Sequence, residues 1–348
     1  MNYLHNAWYA AAWSHELTAG RLLARTFLEQ PVVLFRDAAG RAAALFDRCP
    51  HRFAPLSRGR LKGDMVECGY HGLCFDRAGH CVHNPYPPGQ IPPRAQVRRF
   101  ELLERQGLLW IWMGEAADAD PGLAPNYPVV DDTRHWHTAR GYLTTPANYL
   151  LGIDNLLDLT HAEYLHDGSL GSPALKTAHY EVKQDSPRVV HSNRWFDEGP
   201  IPPGMDLPFP TGGRMVSHWV NMRWEAPSSF WLYTGATFPG EPRAAGLQAY
   251  VAHLLTPETA TSTHYLFGVS LDAAKNNESN DAETIERLRR IFVEEDSVML
   301  KAIQTRMGGQ DLWSLKPASL PGDAAAARVR QALEKLIDAE GGSHASAP

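Results

Sequence analysis

Two short runs constrain this chain more than anything else in it: Cys49-Pro50-His51 and, after sixteen intervening residues, Cys68-Gly69-Tyr70-His71. Each run supplies one thiolate and one imidazole from a single loop, so two loops must meet around a shared inorganic group. Two thiolates and two imidazoles suit a [2Fe–2S] cluster in which the thiolates hold one iron and the imidazoles the other, each loop giving one ligand to each iron. Zinc accepts the same donors, although Cys-x-His is tighter than the usual spacing of structural zinc pairs. Another Cys-x-His, Cys81-Val82-His83, has no Cys-x-x-His after it and reads as incidental. Cys74 and Cys81 read as buried small hydrophobes, and Pro50 and Gly69 as residues that allow close loop packing.

The surroundings of these runs set the architecture. Before residue 113 the chain is a series of short β-type stretches, “QPVVLFRD”, “RAAALFDR” and “RRFELLERQGLLWIWM”, separated by Gly, Pro and Asp. The acidic, Pro- and Gly-rich “GEAADADPGLAPNYP” (114–128) reads as a boundary. The expected division is a small all-β domain over 1–113 and an α+β domain over 114–348. In the latter, residues 146–166 read as helical and 214–270 as long alternating strands of an antiparallel meander. An amphipathic helix is expected over 281–307 and a second over 323–339, with “EGGSHASAP” as a frayed tail.

Composition narrows the classes of function. A net charge of -6 gives no basic footprint for nucleic acid. The N-terminus lacks the cationic start and apolar run of a signal peptide, and “GLLWIWMG” (107–114) is too short to span a bilayer. Four cysteines in 348 residues do not make a disulfide scaffold and fit a reducing cytoplasm, the expected location.

About 235 residues follow the first domain, so a simple electron carrier leaves most of the chain unexplained. Asn155, Asp158 and His161 are spaced by three and share one face of a continuous helix. His166 falls off that stripe, which predicts a helix end or distortion near 162–166. Two histidines and a carboxylate form the facial triad of non-haem Fe(II), with positions left for O2. The carboxylate comes from a separate pattern. Ile285, Leu288, Phe292, Asp296, Met299 and Ile303 recur at helical spacing, which turns Asp296 inward among apolar residues. A buried carboxylate is costly unless it meets a metal or a cation. Glu294 and Glu295 leave the stripe and read as solvated. Asp158 also reads as a local capping residue.

“CPHRFAPLSRG” and “CGYHGLCFD” resemble the Rieske domain of the Rieske-type non-haem iron oxygenases. “DNLLDLTHAEYLH” is similar to the mononuclear-iron motif of that family, and “FVEEDSVMLKAIQ” to its C-terminal iron-ligand segment. “LTPETATSTHYLFG” and “YHGL” resemble the vanillate O-demethylase oxygenase branch. The resemblance implies a Rieske [2Fe–2S] cluster on Cys49, His51, Cys68 and His71, and Fe(II) on His161, His166 and Asp296. It implies an antiparallel sheet with covering helices, helix-grip-like, in the second domain. It also implies a head-to-tail homotrimer in which Asp158 bridges His71 of one subunit to the iron of the next, with Asn155 a polar neighbour of the iron. The implied partner is an NADH-dependent flavin- or ferredoxin-type reductase. The implied reaction is hydroxylation of a methyl group of a small aromatic acid, O-demethylation of a methoxybenzoate such as vanillate with release of formaldehyde. Ring dihydroxylation, aryl-methyl hydroxylation and N-demethylation are alternatives at the same iron. An electron carrier with a ligand-binding domain is the alternative outside the family. Asn221, Trp231, His253 and His264 are candidate substrate contacts, Arg223 is a candidate partner for an acid group, and 167–181 reads as a lid or a plain loop.

Overall fold

A computed structural model of the chain describes residues 3–344. These fall into two compact units, His5–Ala124 with Thr256–Thr259, and Pro125–Leu255 with the chain from Ala260 onward and the residues before His5.

The first unit is all β. It holds a three-stranded sheet (Trp8–Trp13, Leu108–Trp112, Leu102–Arg105) and two four-stranded sheets. One of these orders Leu23–Phe27, Gln30–Arg36, Ala42–Phe46 and Arg99–Phe100, and the other Arg60–Lys62, Met65–Glu67, Cys74–Phe75 and Cys81–His83. Val33, Phe35, Leu45, Val66 and Phe75 form a core that also takes in Cys49 and Cys68. Cys74 and Cys81 are buried in adjacent strands.

The second unit is α+β, built on a seven-stranded antiparallel sheet. In spatial order the strands are Trp136–Thr145, Ser262–Asp272, Leu247–Thr259, Ser229–Thr237, Val216–Glu225, Val189–Gly199 and His179–Ser186. The four strands between 216 and 272 are the expected meander. Register sets its two faces, because side chains alternate along each strand. Leu232 lies opposite Val251, and both pack with Ala139, Val269, Ile285 and Leu288 under helix Glu278–Arg290. Steps of two from these residues put Phe230, His253, Tyr265 and Phe267 on the helix-covered face. Asn221, Arg223, Trp231, Tyr233, Tyr250 and His264 take the other.

The helices depart from the sequence reading in three places. The stretch expected as one helix near 146–166 is helix Tyr149–Leu157, a break at Asp158 (φ -103, ψ 88), a single tight turn Leu159–His161, and a short helix Ala162–Leu165. The distortion thus begins at Asp158, whose carboxylate accepts the Thr160 backbone N–H at 3.0 Å and competes with continuation of the helix. The stretch expected over 281–307 runs from Glu278 to Met307, but Ile291–Ser297 is wound as a π-helix. The last helix is Ala324–His344, so 340–344 are helical rather than frayed, and 345–348 lie outside the described residues.

Candidate metal centres

The two Cys/His loops fold in the same way. The Cys49 N–H donates to the Ala54 carbonyl at 2.9 Å, and the Phe53 N–H to the Cys49 carbonyl at 2.9 Å. In the second loop Cys68 donates to Leu73 at 2.8 Å, and Gly72 to Cys68 at 3.0 Å. The fourth residue after each cysteine takes a left-handed backbone, Gly72 at φ 72 and Phe53 at φ 60. Glycine reaches that region freely, and phenylalanine only under strain that the closed loop holds. The turn back at this position lets histidines at two different spacings, His51 and His71, come together. Their rings lie 4.5 Å apart. Both cysteines are 2% exposed, while His51 is exposed and His71 half-buried. Burial beside the Cys68 thiol pushes the Cys49 thiol up to about 11, so bound metal must displace the proton. This fits a cluster with its thiolate iron inside the core and its imidazole iron toward the surface.

The second centre lies in the other unit. His161, His166 and Asp296 converge, with one donor atom from each within 4.8 Å of the others. His161 Nε2 and His166 Nε2 are 3.2 Å apart, and Asp296 Oδ1 is 3.6 Å and 3.3 Å from them. Asn155 Nδ2 donates to Asp296 Oδ1 at 3.0 Å, beside the donors rather than among them. Burial holds the His161 imidazole below its ordinary pKa. Burial also acts on His166, but the Asp296 and Glu295 carboxylates outweigh it and raise that group. Two imidazoles and one carboxylate on one side of a site are the donors of a non-haem Fe(II) facial triad.

Both histidines have their other nitrogen engaged. His161 Nδ1 meets the Asp158 backbone carbonyl at 2.5 Å, and His166 Nδ1 meets Glu295 Oε2 at 2.5 Å. Glu295 is therefore not solvated as the helical stripe suggested. It is a partner of His166 that sequence reasoning missed, because the pattern assumed an unbroken α-helix. The stripe itself holds through Asp296 and then fails: Met299 is 47% and Ile303 37% exposed, and Leu300, at 7%, is the buried residue instead. A π-turn adds a residue to the helical repeat and shifts every later position.

A pocket adjoins this centre, lined among others by Asn148, Asn155, Leu255, Tyr265, Phe292 and Asp296. Of the four substrate candidates, only His253 lies on this face of the sheet. Its ring is 5.7 Å from that of Phe292. Burial pushes His253 down to about 4, so it is neutral. Its Nδ1 is 2.6 Å from the Tyr265 hydroxyl, which burial keeps protonated and able to donate. Nε2 has no partner among the described residues, and it carries the imidazole proton in the tautomer whose Nδ1 accepts from Tyr265. Asn221, Trp231 and His264 face the other way, Trp231 stacked on Tyr127 at 4.8 Å and His264 bonded to the Tyr142 hydroxyl at 2.9 Å. Arg223 is also on that face, paired with Glu225 at 3.1 Å. Segment 167–181 is anchored: Leu175 is buried, Ser172 Oγ donates to the Pro200 carbonyl at 2.8 Å, and Ser169 Oγ to Glu295 at 2.9 Å.

Comparison with known proteins agrees with both centres. Residues 7–101 match the Rieske [2Fe-2S] domain, and residues 145–339 match the vanillate O-demethylase oxygenase C-terminal domain. The chain is 41% identical, over 97% of each sequence, to the oxygenase component of chloroacetanilide N-alkylformylase from Rhizorhabdus wittichii. It is 37% identical to the oxygenase component of dicamba O-demethylase from Stenotrophomonas maltophilia, over 98% of this chain and 99% of that one. The crystal structure of dicamba monooxygenase bound to dicamba superposes with a TM-score of 0.90 at 36% identity, covering 98% of this chain and 100% of that one. Among the described residues no helix is long and apolar enough to cross a membrane. With a Rieske cluster in one unit and a mononuclear iron in the other, this chain belongs to the Rieske non-haem iron oxygenases, as an oxygenase component of the monooxygenase and demethylase type.

Proposed function

We propose that this chain is the terminal oxygenase of a cytoplasmic multicomponent system that O-demethylates a small methoxy-substituted aromatic acid. Electrons come from a separate NADH-dependent reductase. Cys49, His51, Cys68 and His71 hold the cluster, and His161, His166 and Asp296 hold the iron. When bound, the iron supplies the O2-activating, C–H-oxidising chemistry.

The protein's part is placement. Phe292, Tyr265 and Leu255 give the cavity apolar walls for an arene and keep water from the reacting carbon. The convergence of His161, His166 and Asp296 beside this pocket carries the proposal. His253, behind the lining residues Tyr265 and Phe292, has a buried Nε2 without a partner among the described residues. In the tautomer that accepts the Tyr265 hydroxyl proton, this nitrogen donates to a carboxylate or carbonyl on the ring. Hydroxylation of a methoxy methyl then yields a hemiacetal. Across the reaction, ArOCH3, O2, two protons and an electron pair become ArOH, formaldehyde and water. N-dealkylation of an anilide is the second reading. It is favoured by the 41% identity to the N-alkylformylase component and by an acceptor, the amide carbonyl, that also suits His253. Asp158, by family likeness, bridges His71 of one subunit to His161 of the next in a head-to-tail trimer. Its backbone carbonyl already meets His161.

Formaldehyde release tests this. The iron-loaded protein, a reductase and NADH are incubated with methoxybenzoates, vanillate and dicamba included, and with N-alkyl anilides. Formaldehyde matched by a new phenol supports O-demethylation, and aldehyde matched by a secondary anilide moves the assignment to N-dealkylation. NADH and O2 consumption without either product overturns dealkylation. In the same assay Asp158→Asn should keep a reducible cluster and lose about 100-fold in rate, some 2.7 kcal/mol. A rate near the parent's rules out the bridging role.

A further inference from the structure

The two iron histidines are supported differently. His161 Nδ1 faces a neutral acceptor, the Asp158 backbone carbonyl, and His166 Nδ1 faces a charged one, the Glu295 carboxylate, each at 2.5 Å. The Glu295 contact is built into the fold. Glu295 precedes Asp296 within the π-turn Ile291–Ser297, so one turn presents one carboxylate to the metal position and the next to the back of a histidine. Ser169 Oγ donates to the same Oε2 at 2.9 Å and fixes the carboxylate from the loop after His166. That loop is closed by the Ser169 and Gly171 N–H groups, both donating to the His166 carbonyl at 2.9 Å. His166 is 5% and Glu295 28% exposed in their side chains, so the pair is shielded on the histidine side.

We propose that Glu295 is a positioning residue for the iron: its carboxylate accepts a charge-assisted hydrogen bond from His166 Nδ1–H, locks the ring with Nε2 toward the metal, and makes Nε2 the stronger of the two imidazole donors. A carboxylate behind a ligating histidine sets its tautomer and strengthens its donation, and loss of such a partner typically weakens metal binding. The charge makes His166 the tighter of the two nitrogen ligands, and the Ser169 hydroxyl couples that grip to the segment leading into Ser172 and Leu175.

The proposal rests on His166 being an iron ligand, and the test separates the two claims. Fe(II) affinity is measured by competition with a chelator in the full chain. The electron paramagnetic resonance spectrum of the reduced Rieske cluster reports folding. Glu295→Ala should weaken Fe(II) binding by about 10–100-fold, and the isosteric Glu295→Gln by less but measurably, since an amide keeps an acceptor and loses the charge. Glu294→Gln, on an exposed neighbour, should leave affinity at the parent value. His166→Ala should lose the iron. If His166→Ala keeps it, the ligand assignment fails. If His166→Ala loses it while Glu295→Gln stays within about twofold of the parent, the Glu295 proposal alone is overturned. Equal losses in Glu294→Gln and Glu295→Gln overturn it as well. The glutamine variant settles the matter if the alanine variant does not fold.

Discussion

His218 shows how far a single buried residue shapes the behaviour of this protein. It lies inside the sheet with Nδ1 2.8 Å from the Gly235 carbonyl, and burial pushes its pKa from 6.5 to about 4. The unfolded chain therefore binds a proton that the folded chain refuses between those values. Stability is full above the unfolded value and is lost as pH falls toward 4, by on the order of 3 kcal/mol from this group. Denaturant midpoints between pH 7 and pH 4 should fall less steeply in His218→Gln than in the parent. An unchanged slope contradicts the assignment. Nothing in the sequence marks His218 as different from His253, which has the same depressed pKa on the same face. The candidate metal donors are another matter. The convergence of His161, His166 and Asp296 was legible because a thiolate–imidazole pattern upstream pointed to an electron acceptor downstream, and Asp296 interrupts an apolar stripe. His253 could not be told from Asn221, Trp231 and His264, because strand periodicity gives two faces without saying which one the helices cover.

At the scale of elements, the informative departure is the π-turn. The stripe Ile285, Leu288, Phe292, Asp296 was legible because those positions precede or fall within the shift. Met299 and Ile303 miss the interior, whereas Leu300 is buried and Gln304 accepts the Asn148 backbone N–H at 2.8 Å. π-Turns are rare and collect at functional sites. Here the turn is what allows adjacent carboxylates, Glu295 and Asp296, to serve one centre. Deleting Val293 from the turn should restore α-helical winding and swing Asp296 away from the histidines. The expected result is a normal Rieske spectrum with iron content reduced by about a third. Full iron content would mean that the turn has no part in placing Asp296. The break at Asp158 was legible only through its second reading, as a local capping residue. Spacing by three suggested one helix face for Asn155, Asp158 and His161, and a carboxylate that caps its own following turn ended the helix instead.

At the scale of the molecule, the two-centre organisation was readable from the start. A Cys-x-His and a Cys-x-x-His can serve one cluster only if two loops close alike, and they do, with Phe53 and Gly72 at matching left-handed positions. The α+β nature of the second unit followed from its alternating strands. The hairpin His179–Ser186 and Val189–Gly199 and the edge strand Trp136–Thr145 went unread, because their patterns are short of apolar alternation. The proposed chemistry needs both metals, with the second held by His161, His166 and Asp296. The direct measurement is iron and acid-labile sulfide per chain, in the parent and in Asp296→Ala. The expected result is about three irons per two sulfides in the parent, and about two per two in the variant with its Rieske spectrum intact. A parent with two irons per two sulfides after loading with Fe(II), or a variant that keeps the third iron, would contradict it.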